Sequence, residues 1–592
     1  MVYAILIWIY VFLLTITYGL ITQKLIYKLF NFEIFPETPS FFIIILLGFC
    51  TITTLLSYLS LFIPVGFWVN IILLAIALIY IIFNLTEIRN LLLNSLTLAS
   101  YFSISMKIIL LIIILAGLFF TVLSPYNFDT YLYHVQSVRW LETYKVVPGL
   151  GNLHGKLAFN NSWFVTSAFF SFSFIGGTSF HVLTEFLLIT SSIHFSVGLQ
   201  KILTKNFAKQ NLFEALFLPT LLITYLLINP IASVTPDFPV ILLIWITFIL
   251  FLKNRWNGEP YKFDLNSVII IILSCFAITV KLSALPCVFF IFYFFVLELY
   301  YKRYRNIIFI LLISIFIISP WLIRNVIISG YLIYPFPYID LFNFDWKIPI
   351  QSVIYEKNNT YADSIHPLLG VSTVLKMSLL EKFSHWWICL SVIFRIIFII
   401  LLITILNLFK QFIYFLRGNK KYYINKLFTI ATLVCLSGII YWVVNAPSIR
   451  LGMSFITLIF IFSFFPEFNN LFTKLSKYKI TLKFKLILFL SILVFSSVFL
   501  FFRIHKDEKA SREGFEKIGE ILKDYKKIII SPYGYDEFPI VKVKYNNIDI
   551  YLPVVDDTRT GYSHFPSTAK IQENLSLRGN SLEDGFRISK IK

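Results

Sequence analysis

Apolar residues run through this chain in blocks of about 20, each long enough to cross a hydrocarbon core of roughly 30 Å as a helix. The pattern predicts about 14 such helices, at 3–22, 41–63, 65–84, 107–124, 178–200, 212–229, 238–252, 264–280, 284–301, 306–322, 387–409, 427–445, 451–468 and 486–502. An all-α polytopic membrane protein follows. After residue 502 the pattern changes. "EKASREGFEKIGEILKDY" spaces Phe515, Ile518, Ile521 and Leu522 as a helix would, while "KKIIISPYG" and "IVKVKYNNIDIYLPVV" read as strands. The expected organisation is therefore 1–106 as N-terminal transmembrane helices and 107–502 as a transmembrane module with outer loops 125–177, 230–237 and 323–386. Residues 503–592 form a small extracytoplasmic α/β domain. No internal repeat is visible, and no inverted pair of broken helices of the kind many transporters carry.

Composition agrees with this pattern: of 592 residues 58% are hydrophobic and only 14% charged, and the mean hydropathy is +0.81. The first block, Val2 to Ile21, lacks a basic start and a small-residue cleavage site, so a retained span is expected there. The five cysteines, Cys50, Cys275, Cys287, Cys389 and Cys435, form no C-x-x-C pair and imply neither a disulfide framework nor a zinc site. A net charge of +19 could suggest nucleic acid. The basic residues instead fall in short clusters between spans, as cytoplasmic loops do, and no nucleic-acid partner is expected.

Lys24 and Lys28 form one cluster. Others are Lys201, Lys205 and Lys209, then Lys253, Arg255 and Lys262, then Lys302, Arg303 and Arg305. Further clusters lie at 410–426 and 474–485. All fall on one side of the alternation provided that 161–176, "NSWFVTSAFFSFSFIG", lies in the interface or re-enters, and that side is then cytoplasmic. The opposite face collects Asp129 in "SPYNFDTYLYHVQSVRW", Asp237 in "NPIASVTPDFPV", Lys281 in "TVKLSALP", Arg324 in "PWLIRNVIISGYLIYPFP" and Arg450 in "NAPSIRLG".

These polar residues sit among aromatics at the ends of apolar spans. "TYLYHVQSVRW" is expected as an amphipathic helix on the membrane; at 100° per residue Asp129, Tyr133, Gln136 and Trp140 share a face and His134 lies about 140° from Asp129. Asp129 can simply cap a helix. The span after Asp237 covers only about 22 Å, which sets that acid in a recess where an ionisable group must face protein or water. His181 and Glu185, spaced i, i+4, are expected to share a helix face as a polar pair or a partial metal site. Lys281, Arg324 and Arg450 could each be snorkelling cations. Together they also suit a lipid phosphate leaving group, with a carboxylate as base for an acceptor hydroxyl.

At these residues the chain resembles the GT-C superfamily of membrane glycosyltransferases, which includes protein O-mannosyltransferases and the aminoarabinose transferases of lipid A. The resemblance lies in the acids of two successive outer loops and in the Lys281, Arg324 and Arg450 elements, in that order. More closely it is similar to an uncharacterised family of bacterial multi-pass proteins ending in a segment like "LSLRGNSLEDGFRI". The superfamily often carries paired acids in the first loop; here Asp129 is followed by Thr130. The resemblance implies an inverting transferase in the bacterial inner membrane with its site on the extracytoplasmic face. Its donor would be a polyprenyl-phosphate sugar, its acceptor a lipid, glycan or protein of the envelope, and membrane lipids its surroundings. It implies Asp129 and Asp237 as catalytic acids and Lys281, Arg324 and Arg450 as phosphate partners. Tyr133, His134, Arg139, His181 and Glu185 are accessory candidates, and a divalent cation is a possible cofactor. Two other readings remain open: a polysaccharide polymerase or ligase of another fold, which would need the arginines but neither acid, and a transporter, which would need ionisable residues on a path to both faces.

Overall fold

The computed structural model describes residues 1–30, 32, 39–125, 127–175, 179–204, 208–253, 263–416, 426–477, 535–554 and 558–588. It is mostly helical. Among the described residues nine helices are long and apolar enough to cross a membrane: Val2–Phe30, Phe41–Leu59, Leu183–Leu203, Lys209–Ile228, Leu282–Tyr300, Tyr304–Ser329, Val392–Gln411, Leu427–Asn445 and Ile449–Asn469. Phe67–Phe83 and Leu85–Leu91, bent by 91° to each other, make a tenth if they count as one broken span.

The difference from fourteen has physical causes. The predicted blocks at 107–124, 238–252 and 264–280 do form helices, but Ile104–Phe120, Asp237–Lys253 and Leu265–Val280 have only 16 or 17 residues, about 25 Å of rise. The block at 486–502 and the tail segments at 507–534 lie outside the described residues. The helix Leu85–Tyr101, unanticipated from hydropathy, follows the bend at Asn84. The segment 161–176 holds the buried eight-residue helix Ser162–Phe169, about 12 Å long and too short to cross a bilayer.

Close packing joins the first two helices. An added Cβ on Gly19 would come within 2.1 Å of the Ile44 carbonyl oxygen, and one on Gly48 within 1.8 Å of that of Thr15. Small residues here let the two backbones touch, as helix association in lipid favours. The helix Asp237–Lys253 is buried along almost its whole length, which explains its all-round apolar sequence.

At the other end of the chain, Ile540–Tyr545 and Ile548–Pro553 pair antiparallel around Asn546 and Asn547, both at positive φ, as a tight two-residue hairpin requires. Leu575–Leu577 pairs antiparallel with Phe586–Ile588. These strands share a core with segments between residues 140 and 158 and between 328 and 353. Ile548, Ile550, Leu575 and Phe586 cluster with Trp140, Leu153, Tyr331 and Ile348. The docking is tight at the backbone: Phe586 N–H donates to the Pro148 carbonyl at 2.9 Å. A Cβ on Gly585 would lie 2.1 Å from that same oxygen, and one on Gly149 2.1 Å from the Phe586 oxygen.

Candidate functional site

The chain leaves the helix Ile104–Phe120 and reaches a π-helical turn, Thr130–His134, before continuing as the α-helix Val135–Thr143. Such turns insert one residue into the helical repeat and recur at functional sites. Asp129 stands at its start, its N–H donating to Asn127 Oδ1 at 3.0 Å. The Thr130 and Ser233 hydroxyls bond at 2.6 Å, which ties this turn to the loop before Asp237. Asp237 in turn opens its own helix. Lys281 ends the helix Leu265–Val280 in extended backbone. Arg450 lies in the first turn of Ile449–Lys477.

Four residues from four parts of the chain meet here. Arg450 Nη2 donates to Asp129 Oδ2 at 2.8 Å, and its Nε lies 3.4 Å from Asp237 Oδ2. Lys281 Nζ pairs with the other oxygen of Asp237. Arg450 therefore bridges the two acids, and a weaker contact of 3.4 Å from Nη1 to Asn127 Oδ1 fixes its plane. Asp237 is the floor of the cluster, with a side chain only 5% exposed, whereas those of Asp129, Arg450 and Lys281 are 28%, 32% and 23% exposed. Acids from two different loops are thus held by one guanidinium.

Burial raises the Asp129 pKa, but the charges of Arg450 and Lys156 together with the Arg450 hydrogen bond outweigh it, and the net value lies below the usual carboxylate range. Asp129 is ionised at neutral pH. For His134 burial dominates over the opposing fields of Asp129 and Asp237 and holds the imidazole down at about 4. It is neutral at pH 7, and its Nδ1 has no hydrogen-bond partner among the described residues. The expectation that His134 points well away from Asp129 assumed α-helical spacing; the π turn breaks that spacing, and the charges of Asp129 and Asp237 both act on the ring. The helix Val135–Thr143 is largely covered by protein. Six of its residues are buried, with Gln136 donating to the Gly561 and His564 carbonyls.

Of the accessory candidates, Tyr133 packs edge-on to His134 at 4.4 Å. Arg139 donates to the Tyr562 carbonyl and lies over the Tyr562 and Phe565 rings, so it anchors the C-terminal strands. The expected His181 and Glu185 pair is not formed. The helix begins at Leu183, after the Val182 cap, so i, i+4 geometry does not apply. His181 stacks on Tyr535 at 4.3 Å, while Glu185 accepts from Ala232 N–H at 2.8 Å and the Tyr225 hydroxyl at 3.2 Å. Arg324 is also apart from the cluster, bonded to Ser60 Oγ at 2.7 Å and Asn160 Oδ1 at 3.2 Å.

The structure adds a pair that hydropathy did not single out. Lys156, on the 3₁₀ turn Gly155–Ala158, meets Glu356 of the helix Ile350–Ile365 at 3.1 Å. Its charge reaches Asp129. Among the described residues no three His, Cys, Asp or Glu side chains come together as ligands, and both acids already spend oxygens on Arg450 and Lys281.

A family model described as Domain of unknown function (DUF8201) matches residues 1–457. The chain belongs to that family. The match includes Asp129, Asp237, Lys281 and Arg450, and ends before the C-terminal strands. No curated protein and no solved structure matches the chain.

Proposed function

We propose that this member of the family is an inverting membrane glycosyltransferase, using a polyprenyl-phosphate sugar at the extracytoplasmic face of a bacterial inner membrane, with a GT-C-like arrangement of about 14 spans. The observation that supports it is the convergence of two carboxylates and two cations at the ends of apolar helices, with Arg450 between the acids. The reaction needs both charges. A base must take the proton of the acceptor hydroxyl as its oxygen attacks the anomeric carbon, and the bond from that carbon to the phosphate oxygen must break with negative charge left on the lipid phosphate.

Asp129 is the base in this reading, being ionised and more open than Asp237. Arg450 and Lys281 receive the phosphate; Arg450 is suited to two oxygens at once. Asp237, buried, holds both cations in place. The acceptor is a lipid, glycan or protein of the envelope. The test is transfer of labelled sugar from a panel of polyprenyl-phosphate sugars by membranes containing the chain. Asp129→Asn should lower transfer at least about 100-fold, the usual worth of a general base, with insertion unchanged. Full transfer by that variant would remove Asp129 from the role. Absence of transfer by the unaltered chain from every donor would favour the polymerase and transporter readings.

A further inference from the structure

A second polar site lies away from the acid cluster. A small cleft is lined by Trp140, Tyr144, Phe159, Asn160, Phe164 and Arg324. Arg324 is 5% exposed, and both its hydrogen-bond partners are neutral, Ser60 Oγ and Asn160 Oδ1. Among the described residues it has no carboxylate partner, in contrast to Arg450, Lys281 and Lys156. A buried cation without an anion is unfavourable, and proteins ordinarily pair it.

The site is also rigid. Asn160 Nδ2 donates to the Trp321 carbonyl at 2.8 Å and Trp321 Nε1 donates back to the Asn160 carbonyl at 2.6 Å. The amide is thus locked with its oxygen toward Arg324 Nε, and the remaining N–H groups of the guanidinium fork stay available. Trp140, which lines the same cleft, has its indole N–H without a partner among the described residues. Tyr144 and Phe159, half-buried in the lining, offer aromatic surface that suits the apolar face of a sugar ring or a short chain.

We infer that the Arg324 cleft is an oxyanion-binding subsite that takes the phosphate or carboxylate of a sugar-bearing ligand. Within the glycosyltransferase reading, on which only this assignment rests, that ligand is the acceptor. The donor phosphate belongs at Arg450 and Lys281, and the two sites are separated by aromatic packing. His134 lies 5.0 Å from Phe164, and Tyr133 6.1 Å from Phe159.

The test is direct binding to the purified full chain in detergent micelles, titrating glucose 6-phosphate, glucuronate, inorganic phosphate and neutral glucose against the intrinsic tryptophan fluorescence. The two sugar anions should bind saturably to the unaltered chain and to Arg450→Gln, and at least tenfold more weakly to Arg324→Gln, with partial recovery in Arg324→Lys. Asn160→Asp provides the second variant. It places a carboxylate beside Arg324 while giving up the Nδ2 bond to the Trp321 carbonyl, so the chain should fold and lose anion binding. Stronger binding of glucose 6-phosphate than of glucuronate identifies a phosphate ligand, and the reverse a carboxylate. Inorganic phosphate binding as tightly as both would overturn the sugar-bearing assignment. Equal affinity in the unaltered chain, Arg324→Gln and Asn160→Asp, or no saturable binding of any anion, would overturn the subsite. Binding without sugar transfer would leave the subsite standing and count against the transferase reading alone.

Discussion

Arg450→Gln isolates the interaction on which the cluster depends. The substitution removes one charge and three contacts, 2.8 Å to Asp129, 3.4 Å to Asp237 and 3.4 Å to Asn127, while Asp237 keeps Lys281. Breaking a fully buried pair costs about 3–5 kcal/mol and an exposed one about 0–1. Asp129 and Arg450 are each about 30% exposed, which places the expected loss near 2 kcal/mol. A cycle with Asp129→Asn should show the double variant losing about 1 kcal/mol less than the sum of the single losses, because the two side chains are in contact.

The pH dependence separates this account from a simple packing defect. In the unaltered chain the Asp129 pKa lies below its ordinary value, so its contribution to stability is present above the unfolded pKa and is lost as pH falls through the folded one. Without Arg450 the opposing effect of burial is no longer outweighed and the Asp129 pKa rises. Protonation then relieves a buried charge, and the variant recovers stability as pH falls through that raised pKa. The deficit between the two proteins should therefore be largest near pH 7 and shrink towards pH 4. Chemical unfolding midpoints of the purified chain in detergent at several pH values measure it. A deficit constant with pH, or one growing in acid, would refute the charge account.

Three further outcomes are expected. Lys281→Gln leaves the buried Asp237 with only the 3.4 Å contact to Arg450 and should cost about 2–3 kcal/mol by the same unfolding measurement. Tyr562→Phe removes the 2.6 Å hydrogen bond to Glu142 Oε2 and should weaken C-terminal docking by about 1–2 kcal/mol, read as faster limited proteolysis within 535–588. Gly585→Ala forces a side chain onto a backbone at φ +95° and against the Pro148 oxygen, with a cost of about 2 kcal/mol; the same proteolysis should accelerate while the helical part keeps its unfolding midpoint.

The sequence pattern named the four residues that the structure brings together, because an ionisable residue at the end of an apolar span is visible in hydropathy alone. It could not pair them. Arg450 and Asp129 are 321 residues apart, and "PWLIRN" and "NAPSIRLG" look alike as outer-end arginines. Their difference lies in what comes to them, two carboxylates for Arg450 and an amide and a hydroxyl for Arg324. The π turn at Thr130–His134 was equally hidden, since angular reasoning assumes a uniform 100° step. His181 was misjudged because one cap residue, Val182, puts it outside the helix. Lys156 and Glu356 lie 200 residues apart, on a 3₁₀ turn and a helix whose packing together no periodicity records.

The arrangement of the cluster bears on how the proposed reaction would be ordered. Arg450 serves both sides of it: it holds the Asp129 pKa down, which makes that carboxylate a weak base, and it is the fork best placed for a phosphate. Under the proposed reading these roles compete. A lipid phosphate engaging Arg450 draws positive charge from Asp129, and burial then pushes the Asp129 pKa upward, toward the value at which it accepts a proton well. Asp237 follows less, because the Lys281 ammonium can keep its contact to the other carboxylate oxygen while another of its three hydrogens meets the phosphate. Binding of the donor thus strengthens one acid as a base and leaves the other as a fixed counter-ion, so two chemically identical carboxylates acquire different tasks from their cation partners alone.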